Sequence, residues 1–310
     1  MALLLFASPA SAGAGQLELY STTVDGATAA RLAGQGYDIA SRRDTADGVV
    51  LDIVLAKKQR GKLAREGVKL RVVRDRQGRS QTERAAIQAT AAGSVFRSFD
   101  EPGGIRDELY DVARSNPQLA KLEVLGRTHQ GREYLALKLT QGARGIADGK
   151  RPAVLYVATH HAREWISTEV ARRLMHHYID RWRANDKDVK RLLKDTELWF
   201  VLVHNPDGYQ YTFGAERLWR KNLRDNDANG VIDGSDGVDP NRNYPEHWNF
   251  DDEGSNTLTS SETYRGPAPA SEPETRALIG LFDRVPFKFA ISYHSFGQLL
   301  LYSQGWQVQT

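Results

Sequence analysis

Two histidines and a glutamate carry the strongest chemical signal in the sequence. His161 and Glu164 stand three residues apart in His161-Ala162-Arg163-Glu164-Trp165, and His294 lies far downstream. Imidazole nitrogens and a carboxylate are zinc ligands, and three of them leave a fourth position open for water, as hydrolytic zinc sites do. On its own His-x-x-Glu is a weak pattern that arises often by chance. Its setting adds weight. Residues 153–159 form a short apolar run suited to a buried strand. Within 167–183, Val170, Leu174, Tyr178, Ile179 and Trp182 recur at helical spacing. The pair thus sits where a strand hands over to a helix, and one turn there can aim both side chains at one point. His294 follows a second strand-like run, Phe287–Tyr293.

Further motifs follow in a fixed order. They are His204-Asn205-Pro206-Asp207-Gly208-Tyr209, Arg217-Leu218-Trp219-Arg220-Lys221 and Gly237-Val238-Asp239-Pro240-Asn241-Arg242-Asn243-Tyr244. Ser261-Glu262-Thr263-Tyr264-Arg265-Gly266, Ser271-Glu272-Pro273-Glu274 and Ser292-Tyr293-His294-Ser295-Phe296-Gly297-Gln298 complete the series. Together they resemble the zinc carboxypeptidase family, the group of pancreatic carboxypeptidases A and B and secreted bacterial relatives, over most of the chain from Phe96 to Gly305. The resemblance implies zinc on His161, Glu164 and His294, and removal of C-terminal residues from peptides by a zinc-activated water. It gives Arg220 the oxyanion of the tetrahedral intermediate, a charge that develops only in the transition state. It gives Asn241 and Arg242 the substrate's terminal carboxylate, which an arginine fork matches with two parallel hydrogen bonds. Arg163 would contact the peptide further from the cut. In that family the catalytic glutamate and a substrate-capping tyrosine lie several tens of residues beyond the third ligand. This sequence ends at Thr310, so neither role is assigned, and the chain as given is expected to be inactive.

Two other functions fit part of the pattern. One is a zinc-dependent deacylase of N-acyl amino acids, which the Arg-Leu-Trp-Arg and Asn-Arg-Asn segments disfavour because they suit a long peptide with a free carboxylate. The other is a non-catalytic zinc-containing peptide-binding module. Among the remaining candidates, Arg217, Lys221 and Arg224 read as solvated surface charges. Phe296 reads as a pocket wall or core, His176 and His177 as surface or packing residues on a helix, and His129 as a histidine without an evident partner.

Asp225, Asp227, Asn229, Gly230, Asp233 and Asp236 fit the spacing of a calcium loop, with glycine at position six and oxygen ligands at one, three, five, nine and twelve. Asp at position twelve replaces the usual bidentate Glu. The alternative is a polar surface loop, since Asn-Gly and Asp-Gly are ordinary turn dipeptides.

Composition is that of a globular chain: 310 residues, 40% hydrophobic, 26% charged, net charge +3. Such a balance does not single out nucleic acid, and no segment is long and apolar enough to span a membrane. The expected partners are peptides with a free C-terminus, met by a monomer. With no cysteine, disulfides, thiolate ligands and cysteine catalysis are excluded. Residues 1–12, with Leu3-Leu4-Leu5-Phe6-Ala7 and the Ala10-Ser11-Ala12 cleavage pattern, read as the remnant of a secretory signal. That reading places the protein outside a bacterial cell. Residues 13–78 read as a small α+β unit like a propeptide, 79–93 as a linker, and 94–310 as a partial catalytic domain. For the last part the alternation of helices and strands predicts an α/β fold: a mixed, mostly buried sheet with helices on both faces.

Overall fold

The computed structural model describes residues 17–90, 95–252, 254–295 and 300–301, without the side chains of 85, 89 and 90. The signal-like segment 1–12 lies outside the described residues, as do Phe296, Gly297 and Gln298 from the motif around the third ligand.

The N-terminal unit runs β1 (Leu17–Val24), α1 (Gly26–Gly34), β2 (Asp38–Thr45), β3 (Gly48–Ala56), α2 (Lys57–Arg65) and β4 (Arg71–Val72). Its antiparallel sheet has the order β2-β3-β1-β4. Strand β3 alternates as a half-buried strand should. Val49, Leu51, Ile53 and Leu55 face Leu32 of α1 and Leu63 of α2. The opposite face puts Val54, with Leu17 and Leu19 of β1, against Leu218 of the second unit. Strand β4 is only two residues long, and the segment read as a linker contains a helix, α3 (Gln81–Thr90).

The second unit contains α4 (Ile105–Ser115), β5 (Ala120–Arg127), β6 (Glu133–Leu139), β7 (Ala153–Ala158), α5 (Trp165–Arg183) and α6 (Lys187–Asp195). These are followed by β8 (Glu197–Val201), α7 (Pro206–Gly214), α8 (Pro273–Arg284) and β9 (Phe287–Tyr293). The sheet order is β5-β6-β8-β7-β9, antiparallel across β5-β6-β8 and parallel across β8-β7-β9. Successive residues of β6 and β8 point to opposite faces. Leu135, Leu137, Leu198 and Phe200 join α4, α5 and α6 in one core. Tyr134, Ala136, Trp199 and Val201 join Leu278 and Leu281 of α8 in another. Cover on both faces explains why every residue of β8 is buried. The expected mixed, mostly buried sheet is observed, with an exposed edge strand at β9, where Phe289 is 71% and Ile291 42% exposed. Cover reaches only the ends of that strand, where Phe287 packs on Phe282 of α8 and Tyr293 on Tyr156. The three parallel strands β8, β7 and β9 end on one edge, the position where open α/β sheets build sites.

Candidate active site

Beyond the end of β7 the chain bends at Thr159, a β-branched residue at φ +58°, a conformation costly enough to need support. Thr159 N–H donates to Ser167 Oγ (3.2 Å), and its carbonyl accepts from Asn205 N–H (3.1 Å). The bend lifts His160 and His161 off the sheet. Ala162 N–H then donates to the carbonyl of Arg220 (3.0 Å), tying this loop to the arginine segment. Asn205 clamps the same segment by donating to the Lys221 carbonyl (3.0 Å). A side chain at Gly208 would meet that carbonyl at 2.5 Å, so the close approach requires glycine. Glu164 stands at the N-cap position of α5, whose first residue, Trp165, donates to Thr212 Oγ1 (2.7 Å) and stacks on Phe213.

His161, Glu164 and His294 converge as the spacing predicted. His161 Nδ1 lies 2.7 Å from Glu164 Oε1. His294 Nδ1 lies 3.0 Å from Glu164 Oε2 and 3.2 Å from His161 Nδ1. Tetrahedral ligands with bonds of about 2.1 Å stand about 3.4 Å apart, so the trio is within a few tenths of an ångström of a zinc cage. Its donor set suits zinc as well. Behind His161 the Asp239 carboxylate approaches Nε2 at 3.3 Å without an aligned hydrogen bond, the place where metal-bound histidines meet an orienting carboxylate. Asp239 Oδ2 also accepts from Arg220 Nε (3.0 Å) and Nη2 (2.7 Å). Burial works against its charge, but Arg220 and then His161 hold Asp239 well below the usual carboxylate range.

The sequence model of the zinc carboxypeptidases matches residues 105–310. The chain belongs to this family. It is 36% identical to zinc carboxypeptidase A 1 of Drosophila melanogaster over 200 residues, 64% of this chain and 44% of that protein. It is 34% identical to carboxypeptidase A4 of Mus musculus over 66% of this chain and 46% of that protein. With carboxypeptidase B of Astacus astacus it shares 32% over 68% and 64% respectively. The chain thus spans about half of the length of the curated relatives it matches. The crystal structure of thrombin activatable fibrinolysis inhibitor superposes with a TM-score of 0.68 at 21% identity, covering 91% of this chain and 73% of that one. Carboxypeptidase A from Helicoverpa armigera superposes with a TM-score of 0.67 at 23% identity, over 92% and 71%. These two likenesses establish the fold, and their reach into this chain includes the N-terminal unit.

In this zinc carboxypeptidase chain one of the arginines predicted to meet substrate, Arg163, binds the N-terminal unit. Asp38, buried at the start of β2, binds both amino groups of Arg163, one at 2.9 Å, and lies 3.8 Å from Arg220. Burial would raise its pKa, but the two guanidinium groups hold it below the ordinary value. Asn241 and Arg242 line the same cleft of about 940 Å³ as His161, Glu164, Arg163, Arg220 and Asp38. Part of the Arg242 fork is engaged with backbone: Nε donates to the Gly254 carbonyl (2.7 Å) and Nη1 to that of Asn241 (2.9 Å).

Four expectations are corrected. Lys221 is fully buried and donates to the Thr259 carbonyl (2.7 Å). Arg217 lies over the Trp165 ring at 3.6 Å, where burial pulls its pKa down to about 10. Arg224 reaches Glu272 at 3.3 Å, and His129 reaches the same carboxylate at 2.8 Å. Asp239 and Asp38 escaped the sequence reading. The first had a signal, an acid two residues before the predicted carboxylate clamp. The second had none, because its partners are more than a hundred residues away.

The calcium expectation gains little. Of its ligands, Asp225, Asp227 and Asp236 come together, whereas Asp233 turns to Ser235 and the Asn229 oxygen to Val231 N–H. Asp225 caps the backbone of Asn229 and Gly230. The loop closes on itself, and nothing in it calls for an ion.

Proposed function

We propose that this chain supplies the zinc-binding and substrate-gripping part of a secreted metallocarboxypeptidase, with His161, Glu164 and His294 holding the metal. The convergence of two imidazoles and one carboxylate within 3.2 Å of each other carries the reading. Zinc bound there would polarise the scissile carbonyl and make its water acidic. Arg220, fixed by Asp239, supplies a preorganised positive charge beside the metal. Arg242 and Asn241 hold the terminal carboxylate, and Arg163 the peptide upstream. A general base is assigned to none of the described residues: Glu164 is a ligand, Asp239 is spent on Arg220, and Asp38 belongs to the N-terminal unit. Purified protein is expected to carry about one zinc per chain and His161→Ala to lose it. Full zinc in that variant would remove the assignment.

The N-terminal unit reads as a cover on this site. Its Asp38 carboxylate lies where a substrate carbonyl or carboxylate would meet Arg163 and Arg220, and it is joined by the Leu17–Glu216 and Ser261–Gly36 hydrogen bonds (3.1 and 3.0 Å). Asp38→Ala is therefore expected to strengthen binding of a blocked dipeptide with a free carboxylate by tenfold or more, about 1.4 kcal/mol. Equal affinity in wild type and variant, by calorimetry, would refute the cover.

A further inference from the structure

One buried histidine beside the metal trio is used by none of the roles above. His160 is 3% exposed, and both its ring nitrogens are engaged. Nδ1 lies 3.2 Å from Ser292 Oγ, and Nε2 lies 2.9 Å from the Tyr244 hydroxyl. The same Ser292 Oγ lies 3.1 Å from His294 Nε2. His294 is the ligand most in need of support, because it follows the exposed end of β9 while His161 and Glu164 are buried.

We infer that His160 and Ser292 form a hydrogen-bonded strut that fixes the tautomer and ring orientation of His294 for metal binding, resting on the zinc reading above. The direction of the bonds follows from elimination. A His294 that ligates through Nδ1 must carry its proton on Nε2, which donates to Ser292 Oγ. The serine hydroxyl, having accepted, donates onward to His160 Nδ1. His160 then carries its proton on Nε2 and donates to the Tyr244 oxygen. In this arrangement both ring nitrogens of His160, the serine hydroxyl and His294 Nε2 each have a partner, and the His294 proton is held on the nitrogen that faces away from Glu164 and His161.

The strut has rigid walls. The His204 ring lies 4.0 Å from the His160 ring, and His204 Nδ1 is held by the Tyr134 hydroxyl at 2.6 Å. On the other side the His294 ring stands 5.4 Å from His160 at an interplanar angle of 26°. An aliphatic residue at 160 could fill the volume but could not accept the serine proton. Partners one bond removed from a metal ligand typically change metal affinity ten- to a hundredfold when lost.

The test is zinc affinity, measured on the full chain by competition with a fluorescent chelator. Ser292→Ala and His160→Leu are each expected to weaken zinc about tenfold or more. The double variant should be no weaker than the weaker single one, because both break one strut. His160→Asn, whose side-chain oxygen falls near the Nδ1 position, should recover most of the affinity. A purely structural role for His160 predicts no recovery by Asn and independent, multiplying losses. Should His160→Leu fail to fold, Ser292→Ala still decides, since Ser292 is exposed. Zinc affinity in Ser292→Ala within twofold of wild type overturns the strut and leaves the three-ligand assignment standing. A wild-type chain that binds no zinc overturns both.

Discussion

Replacing Arg220 by methionine is expected to lower the stability of the fold by about 3–5 kcal/mol, the usual consequence of removing one partner from a buried ion pair. Arg220 is 8% exposed and Asp239 wholly buried. The pair is made by two hydrogen bonds to one carboxylate oxygen, with Asp38 completing the ring of charge at 3.8 Å. Methionine keeps most of the volume, so the loss reports charge rather than packing. The Asp239 carboxylate would keep only Asn241 N–H (2.9 Å) and the approach of His161. Arg220→Lys should fall between, since it restores the charge without the fork. Arg173, whose side chain is 69% exposed, gives the control, and Arg173→Met should change stability by less than about 0.5 kcal/mol. Urea unfolding compares the three, and equal midpoints for Arg220→Met and Arg173→Met would show that the pair contributes nothing. In a form with turnover, the same substitution should cost about a hundred- to a thousandfold in kcat, the scale of a lost oxyanion donor.

That pair also marks the border of what the sequence discloses. The candidate ligands His161, Glu164 and His294 were legible because both histidines follow apolar runs that end as strands should and because the ordered motifs around them lend weight to a weak His-x-x-Glu pattern. Strands β7 and β9 were legible from the same apolar runs, and helix α5 from the helical spacing of its apolar residues. Strand β2 was not: Ser41, Arg42, Arg43 and Asp44 break the alternation, and the strand exists because β3 beside it offers an unpaired edge. Helix α8 was hidden by Pro273, which reads as a breaker until it is recognised as a first-turn residue whose missing N–H costs nothing. Charge partners are harder still. Lys221, Arg217 and Arg224 look like surface charges in the chain, and only tertiary packing supplies Thr259, Trp165 and Glu272. Composition gives each of these cations the same prior, and of the three only Arg217 lines the cleft.

The largest effect outside the cleft is expected from Glu274 and should appear as a pH dependence. Glu274 is fully buried in α8 with Oε1 unpartnered, while Asn222 Nδ2 donates to Oε2 at 3.3 Å. Burial, with Asp207 and Glu272 nearby, pushes its pKa up to about 7, and His129 relieves this only in part. Below about pH 4.5 the carboxyl is protonated in both folded and unfolded chains, and it contributes no difference. Between 4.5 and 7 the unfolded chain releases the proton while the folded chain keeps it, so stability falls as pH rises. Above 7 the folded chain carries the full penalty of a buried carboxylate, about 3 kcal/mol at about 1.4 kcal/mol per pH unit. His129 acts in the same direction. Its raised pKa gives stability that is complete below 6.5 and is lost as pH passes the folded value. Glu274→Gln removes the ionisation and keeps the shape. The variant should therefore be more stable than wild type at pH 8 by an amount approaching 3 kcal/mol and indistinguishable at pH 4.5. Taking the difference between variant and wild type at each pH cancels the titration of groups that do not interact with Glu274, and leaves its coupling to His129, Glu272 and Asp207. A difference that is the same at both pH values would mean that the pKa of Glu274 is not raised in the folded chain.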